Sequence, residues 1–177
     1  MAEKPTADLK TLIDTLVRQG QPPDSDALLQ VGKSLAKLFG VDADEVAILS
    51  LSAKNKSLKF VIPEKLAAIG TIPLSSATAL AARTARERRP EVVNNFSSAR
   101  HATVFEGVPM GRDPSEMIQK IMSAPILDGT EVRGVVQISR KGRSTSDAGQ
   151  DFVQKDLQNL VQIAPALEPF LKLCLPA

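Results

Sequence analysis

Residues 123–142 read SAPILDGTEVRGVVQISRKG and contain the clearest structural pattern in the chain. Apolar residues dominate 118–127 and 132–138, and the segment between them is Asp128-Gly129-Thr130-Glu131. An Asp-Gly pair between two apolar runs is a strong signal for a tight hairpin turn, because glycine adopts a positive φ at little cost. The stretch therefore predicts a β-hairpin at the centre of a sheet.

Two residues in this hairpin carry further information. Pro125 lacks a backbone N–H, which favours an outer or irregular position in its strand. Gly134 has no side chain, so a helix or a ligand can approach the second strand closely there, and a β-bulge explains it equally well. The hairpin by itself identifies no ligand.

Hydrophobic periodicity predicts the elements before the hairpin. Apolar residues at helical spacing predict a first helix ending near Gly20 and a second running from a cap at Asp24 or Ser25 to Gly40. Four short strands are then expected, together with an alanine-rich helix that Ser75 or Ser76 caps and Pro90 ends. The strands fall around 46–48, 60–62, 70–74 and 91–94, and the helix spans about 78–89.

Two segments complete the chain. Residues 95–116 mix polar and apolar residues without a clear period, which is typical of a packed binding loop. A terminal helix begins near Phe152, and Pro165 and Pro169 should kink or shorten it. The polar segment 144–149 between the hairpin and this helix is predicted as a loop.

Composition excludes several functional classes. The chain of 177 residues has 43% hydrophobic and 24% charged residues, which is ordinary for a globular domain. Its 22 Lys and Arg against 20 Asp and Glu give a net charge of +2, too little for the basic excess of most nucleic-acid binders. No apolar run approaches the ~20 residues that cross a bilayer, and no signal peptide is evident. We expect a cytoplasmic protein without nucleic-acid or membrane partners.

The order of these pieces resembles that of a GAF domain, a small-molecule sensory module. The resemblance covers residues 25–173 and depends on the stretches listed next. They are DEVAILSL (44–51), GTIPL (70–74), RPEVVN (89–94), SAPIL (123–127), RGVVQI (133–138) and FVQKD (152–156).

The resemblance implies an α+β fold, a GAF-like α/β/α sandwich around an antiparallel sheet of five or six strands. Helices from both termini should lie on one face, and the 76–89 helix with the 95–116 loop on the other. It further implies an N-terminal helix at 1–23, available for dimerisation, and a GAF-like domain at 24–177. For the apolar stripe of that first helix, docking on its own domain and packing against a second copy are equally open.

The ligand should lie on the second face, and the resemblance places eight residues at the pocket. These are Ser76, Thr78, Phe96, Arg100, His101, Phe105, Ser123 and Gln137. The ligand itself stays unknown. Covalent bilin attachment is excluded because Arg100 stands beside His101 where bilin-binding relatives carry cysteine, and Cys174, the only cysteine, excludes a cysteine-ligated metal cluster.

Cyclic-nucleotide-binding relatives share a five-residue signature, whose counterparts here are Arg140, Lys141, Phe152, Asp156 and Leu157. Arg replaces Asn and Leu replaces Glu, which argues against a cyclic nucleotide. Retention of Lys141 and Asp156 predicts that the salt bridge of the signature persists as a structural clasp.

The family also includes a methionine sulfoxide reductase that uses cysteines in the sensory loop, and this loop has none. We therefore expect no enzymatic activity. The basic run between Arg83 and Arg89 can be read as a solvated helix face or as a surface for nucleic acid or an acidic partner.

The function that this sequence predicts is a non-catalytic sensory or regulatory domain. It would bind a small molecule and signal through homodimerisation to a partner protein. The alternative is a purely structural interaction module, with a pocket filled by Phe96, Val104, Phe105 and Met110.

Overall fold

The computed structural model describes residues 3–96, 113 and 115–174. Within these residues the chain forms a six-stranded antiparallel sheet with the strand order β3-β2-β1-β6-β5-β4. The strands are β1 (Val46–Ser52), β2 (Ser57–Ile62), β3 (Thr71–Pro73), β4 (Glu91–Val93), β5 (Met117–Asp128) and β6 (Glu131–Gly142). The predicted α+β sandwich is confirmed.

In the described part of the chain, six α-helices cover the sheet: α1 (Glu3–Gln19), α2 (Ser25–Phe39), α3 (Glu64–Ala67), α4 (Leu80–Glu87), α5 (Gln154–Ile163) and α6 (Glu168–Cys174). The carboxylate of Asp24 accepts a hydrogen bond from Ala27 N at 2.8 Å, and Gly40 ends α2 with φ +65°. Both caps agree with the sequence prediction. The predicted kink in the terminal helix is a 3-10 segment, Ala164–Leu167, between α5 and α6.

The central hairpin is longer than predicted. Asp128 pairs with Glu131, so the loop holds two residues, with Gly129 at φ +63°. Gly134 satisfies both of its proposed explanations. Arg133 is an extra residue in the ladder between Val132 and Gly134, and a Cβ at Gly134 would collide with Leu49 O and lie 2.7 Å from Leu171 of α6.

One face of the sheet packs against α1, α2, α5 and α6; we call it the helix-packed face. Its core contains the alternate residues Val46, Ile48, Met122, Val136 and Ile138, together with side chains of all four helices. Leu9 and Ile13 of α1 are at most 2% exposed within this core. The apolar stripe of α1 therefore docks in cis, although Val17 is exposed.

The other face carries α3 and α4; we call it the cavity face. Leu49, Leu58 and Val135 form its apolar part with Leu66 of α3 and Ala82 of α4. Two differences from the sequence prediction concern this face. Helix α4 is shorter than 78–89, because Arg88 already adopts a left-handed φ of +54° before Pro90, and the single-turn helix α3 was not predicted.

Candidate functional site

A row of directly opposed residues crosses the cavity face. Ala47 of β1 pairs with Gln137 of β6, Gln137 with Ser123 of β5, and Ser123 with Glu91 of β4. Residues opposed in an antiparallel sheet point to the same side, so this register brings their side chains together. Sequence reasoning named Ser123 and Gln137, and the structure makes them neighbours.

A chain of hydrogen bonds starts at this row and ends in α4. Gln137 Nε2 donates to Ser123 Oγ at 3.2 Å, and Ser123 Oγ lies 2.7 Å from Thr84 Oγ1. Thr84 Oγ1 donates to Leu80 O at 2.9 Å. Ser123 and Thr84 are fully buried, so each hydroxyl needs these partners. The chain fixes α4 to the centre of the sheet.

Two arginines in the basic run of α4 have a structural role. Arg83 forms a bidentate pair with Glu91 at 3.1 and 2.7 Å, which ties α4 to β4. Arg86 Nη1 donates to Leu74 O and to Ser76 O, which ties α4 to the segment before it. Two of the charges that suggested an acidic-partner surface therefore hold the helix in place.

A cavity of about 110 Å³ lies over this face of the sheet, and we call it the sheet cavity. It opens between the strand centre, α3 and the start of β5. Its apolar lining residues are Val46, Ala47, Phe60, Pro63, Leu66, Met117, Ile118 and Ile121, and its polar ones are Asp44, Glu45, Glu116, Gln137, Ser139 and Lys141. An apolar enclosure with a few convergent polar groups is the usual form of a small-molecule site.

A second, larger hollow of about 360 Å³ is a surface groove between α2 and the β2–α3 connection. Leu28, Leu29, Gly32, Ile62 and Pro63 make its lining mainly apolar. In the described part of the chain, no network of hydrogen-bonded polar side chains borders this groove, whereas the row that contains Gln137 borders the sheet cavity. We therefore take the sheet cavity as the candidate site.

The charged wall of the sheet cavity is formed where β1 begins beside the end of β6. Glu45 accepts from Asp42 N at 2.8 Å and from Lys141 N at 2.6 Å, and Lys141 Nζ lies 3.6 Å from Asp44 Oδ2. The predicted clasp between Lys141 and Asp156 is wrong. Strand alternation places Lys141 on the cavity face, whereas Asp156 caps α5 by accepting from Val153 N at 2.8 Å.

Oxygen atoms of Asp42, Asp44 and Glu45 lie within 4.8 Å of one another, which makes these residues a conceivable set of metal ligands. However, both Glu45 oxygens accept backbone N–H groups and Asp44 pairs with Lys141. These contacts give the carboxylates of Asp44 and Glu45 a structural role in joining the start of β1 to β6, and we assign no metal to the cluster.

Of the eight predicted pocket residues, five lie among the described residues, and Gln137 is the one of these five that lines the sheet cavity. Ser123 does not line the cavity but accepts a hydrogen bond from Gln137. Ser76 Oγ accepts from Ala79 N at 3.1 Å, as expected of a helix-capping residue. Phe96 is buried beside Leu80 and Ile121, and Thr78 precedes α4. Arg100, His101 and Phe105 lie outside the described residues.

Among the lining residues that sequence reasoning missed, some were predictable from local patterns and others were not. Ser139 follows Gln137 at a spacing of two, so alternation along β6 could have placed it on the same face. Asp44, Glu45 and Leu66 carry no such signal, because they reach the cavity from the start of β1 and from α3. Tertiary packing alone brings those three to the site.

The helix-packed face holds the connection between β6 and α5. Phe152 is clamped by Asn94, which donates to Phe152 O at 3.0 Å and accepts from Phe152 N at 2.9 Å. The Arg140 guanidinium lies 4.8 Å above the Phe152 ring. Buried Lys120 donates to Gly149 O and pairs with Asp151 at 2.8 Å. Arg140 thus serves this connection and does not line the cavity.

Among the ionisable groups of the described residues, two have shifted pKa values. Hydrogen bonds from the backbone and side chain of Ser115, with a contribution from Arg143, lower the pKa of Asp113. Burial raises the pKa of the Cys174 thiol to about 12. Neither residue lines the sheet cavity.

Comparison with known proteins defines the class of protein to which this fold and site belong. The GAF domain family model matches residues 25–168, and the chain belongs to the GAF domain family. No curated protein matches it.

Solved structures share the fold at low identity. The GAF domain of an Acinetobacter phosphoenolpyruvate-protein phosphotransferase is 16% identical with a TM-score of 0.64, covering 94% of this chain and 92% of that one. Residues 122 to 287 of a methyl-accepting chemotaxis protein are 16% identical with a TM-score of 0.64, and the match covers 91% of this chain and 96% of that one. A free methionine-R-sulfoxide reductase from Neisseria meningitidis, in complex with its substrate, is 14% identical with a TM-score of 0.60. The match covers 96% of this chain and 89% of that one.

The last of these corrects the expectation that this chain is not an enzyme. A reductase has the same fold, and further reductases of this kind are among the similar structures. Membership of the fold therefore does not exclude a catalytic role. The cysteine count on which the expectation was based concerns one type of chemistry alone.

The described helices also bear on the membrane expectation. None of the helices within residues 3–96 and 115–174 combines the length and the apolar character that crossing a bilayer requires.

Proposed function

We propose that this chain is a sensory or regulatory GAF domain that binds a small molecule in the sheet cavity and signals as a homodimer from the cytoplasm. The observation that carries the proposal is the convergence of Gln137, Ser139 and Lys141 on an apolar cavity opposite the terminal helices. The similar structures from a chemotaxis protein and a phosphotransferase support a sensory role.

The arrangement of the two faces supports the same proposal. Helix α4 is linked to cavity-lining Gln137 through Ser123 and Thr84, so a ligand that moved Gln137 would act on a helix directly. The terminal helices lie on the opposite face, where exposed Val17 of α1 and Val161 of α5 offer apolar surface to a second copy. Recognition and assembly would then use opposite faces of one sheet.

A screen of small metabolites by thermal shift tests the ligand part of the proposal. A ligand at a hundredfold excess over its Kd stabilises the folded state by about 2.7 kcal/mol through mass action. The matched variants are Ala47→Leu, which fills the sheet cavity, and Ala7→Leu on the exposed surface of α1. Binding should be lost in the first variant and retained in the second. A stabilisation that survives Ala47→Leu would place the ligand elsewhere.

Sedimentation velocity of the full chain tests the dimer part. We expect a concentration-dependent dimer that Val17→Glu or Val161→Glu weakens. A chain that stays monomeric at concentrations up to about 100 µM would remove homodimerisation from the proposal.

A second candidate function is an interaction module with a self-filled pocket. The observation in its favour is that Phe96 packs against Leu80 and Ile121 beside the cavity, which itself is smaller than the ~300 Å³ of most ligand pockets. If no compound shifts the melting temperature of the wild-type chain while a protein partner does, this second function is the correct one.

A further inference from the structure

We propose that the sheet cavity and the surface groove between α2 and the β2–α3 connection form one bipartite site for a neutral amphiphile. The uncharged polar head of this ligand, a primary amide, occupies the sheet cavity, and its alkyl chain occupies the groove. The inference rests on the proposed function, because it names the class of molecule that the same cavity takes. It also assigns a role to the groove, which the proposed function leaves unused.

The two hollows are adjacent. Asp44 and Pro63 line both of them. Helix α3 follows directly, with Leu66 on the sheet cavity and Glu64 and Lys65 on the groove. The two hollows therefore approach each other to within the width of one residue, near the start of β1 and the end of β2.

The volume of the sheet cavity limits what this cavity holds by itself. An apolar cavity of about 150 Å³ accommodates the six carbon atoms of benzene, so the 110 Å³ of the sheet cavity accommodates about four heavy atoms. An amide group with one further carbon atom reaches that limit. A longer ligand has to extend beyond the sheet cavity, and the adjacent groove of about 360 Å³ exceeds the ~300 Å³ at which typical ligand pockets begin.

The groove has the lining that an alkyl chain requires. Among its apolar residues, Gly32 and Ile62 are buried, and Leu29 is 48% exposed. The charged side chains of Glu64 and Lys65 lie at its exposed rim. An alkyl chain in this groove loses contact with water and removes Leu29 from water at the same time, which is favourable for both.

The polar lining of the sheet cavity favours an uncharged head. Lys141 Nζ lies 3.6 Å from Asp44 Oδ2, with the two side chains 15% and 16% exposed, and both Glu45 oxygens accept backbone N–H groups. A charged head would lose its own hydration and compete with these existing pairs. The amide of Gln137 and the hydroxyl of Ser139 also line the cavity, and a primary amide offers them both donors and an acceptor.

The bipartite arrangement also brings the ligand to a terminal helix. Leu28 of α2 lines the groove and packs against the core of the helix-packed face. A ligand with its head beside Gln137 and its chain beside Leu28 therefore contacts both layers of the domain. Occupation of the groove would act on α2 directly, in addition to the link from Gln137 to α4.

The test titrates the ¹⁵N-labelled full chain at pH 7 with propanamide and octanamide, which have the same head and differ by five methylene groups. At about twofold per methylene group in an open groove, we expect octanamide to bind about 30-fold more tightly. Octanamide should shift the amide signals of Gly32, Leu29 and Gln137, whereas propanamide should shift Gln137 and leave Gly32 unchanged. Octanoate and octylammonium, which place a charge on the same chain, should bind about tenfold more weakly than octanamide or worse.

Substitutions in the two hollows should have different effects. Leu29→Gln makes the groove polar and Ala43→Leu fills it, so each should lower the affinity for octanamide about fivefold or more and leave that for propanamide unchanged. Ala47→Leu fills the sheet cavity and should weaken both compounds. The matched controls are Ile69→Gln, at a side chain that is 44% exposed, and Ala7→Leu, and both should bind as the wild type does.

The outcomes separate this inference from the proposed function. Octanamide that binds no more tightly than propanamide, or that shifts no groove residue, overturns the inference and leaves the proposed function standing. Equal effects of Leu29→Gln and Ile69→Gln, or octanoate or octylammonium binding as tightly as octanamide, also overturn it. If neither amide binds, the inference fails, and the metabolite screen decides the proposed function separately.

Discussion

The two faces of the sheet are built from the same strands and differ in every respect that matters for function. Val136 and Ile138 of β6 face four helices, and the residues around them are almost all apolar. Gln137 and Ser139, their neighbours in sequence, face a cavity and take part in a directed set of hydrogen bonds. Because side chains alternate along a strand, one segment can supply both a stabilising core and a recognition surface. The comparison predicts that substitutions on the two faces will differ in kind as well as in size.

The largest effect is expected at the centre of the helix-packed face. Phe170 of α6 is fully buried, and Phe170→Ala should lower the free energy of unfolding by about 3–5 kcal/mol. Phe60→Ala removes the same side chain from the cavity face, where Phe60 borders existing empty space and loses fewer contacts, so its cost should be smaller. Urea unfolding measures both. Equal losses would contradict the assignment of stability mainly to the helix-packed face.

A pair of glycines on the helix-packed face gives the next effect. A Cβ at Gly134 would collide with Leu49 O and crowd Leu171, so Gly134→Ala should destabilise the chain by about 2–3 kcal/mol. At Gly32 of α2, a Cβ would lie 3.5 Å from Ile62, an ordinary contact. Gly32→Ala should therefore be neutral or stabilising by about 0.5–1 kcal/mol through helix propensity. Thermal unfolding of both variants would sharpen the comparison, and a neutral Gly134→Ala would break it.

On the cavity face a smaller, network-dependent effect is expected. Ser123→Ala and Thr84→Val should each cost about 1–2 kcal/mol, because each leaves a buried polar partner unsatisfied. In a double-mutant cycle the second change should cost less once the first is present, with a coupling of about 0.5 kcal/mol or more. Additive effects would show that the hydrogen-bond chain is not a unit.

The smallest effect concerns the edge of the helix-packed core. Since burial raises the pKa of Cys174 from 9.0 to about 12, the neutral thiol is favoured in the folded state. The stability from this group is complete below pH 9 and is lost as the pH rises toward 12. At pH 8 iodoacetamide should modify folded Cys174 much more slowly than urea-unfolded Cys174. Equal rates would show that α6 opens readily.

Particular residues show how far the sequence predicted this site. The apolar runs on either side of the Asp128-Gly129 pair predicted the central hairpin, and the resemblance to GAF domains then placed Gln137 and Ser123 on the face opposite the terminal helices. The position of Lys141 was predictable by alternation along β6, yet the expected clasp with Asp156 ignored it. Family analogy proposed a bridge that the pleat forbids, because the two residues belong to opposite faces.

The sequence by itself determined the strands, every helix except α3, their order and the division of each strand into two faces, because turn chemistry and periodicity are local properties. Only the tertiary structure decided which side chains meet. The strand register placed Gln137 opposite Ser123, the docking of α4 oriented their hydrogen bonds, and α3 with the start of β1 closed the cavity. Those contacts join residues distant in the chain, and no local pattern specifies such pairs.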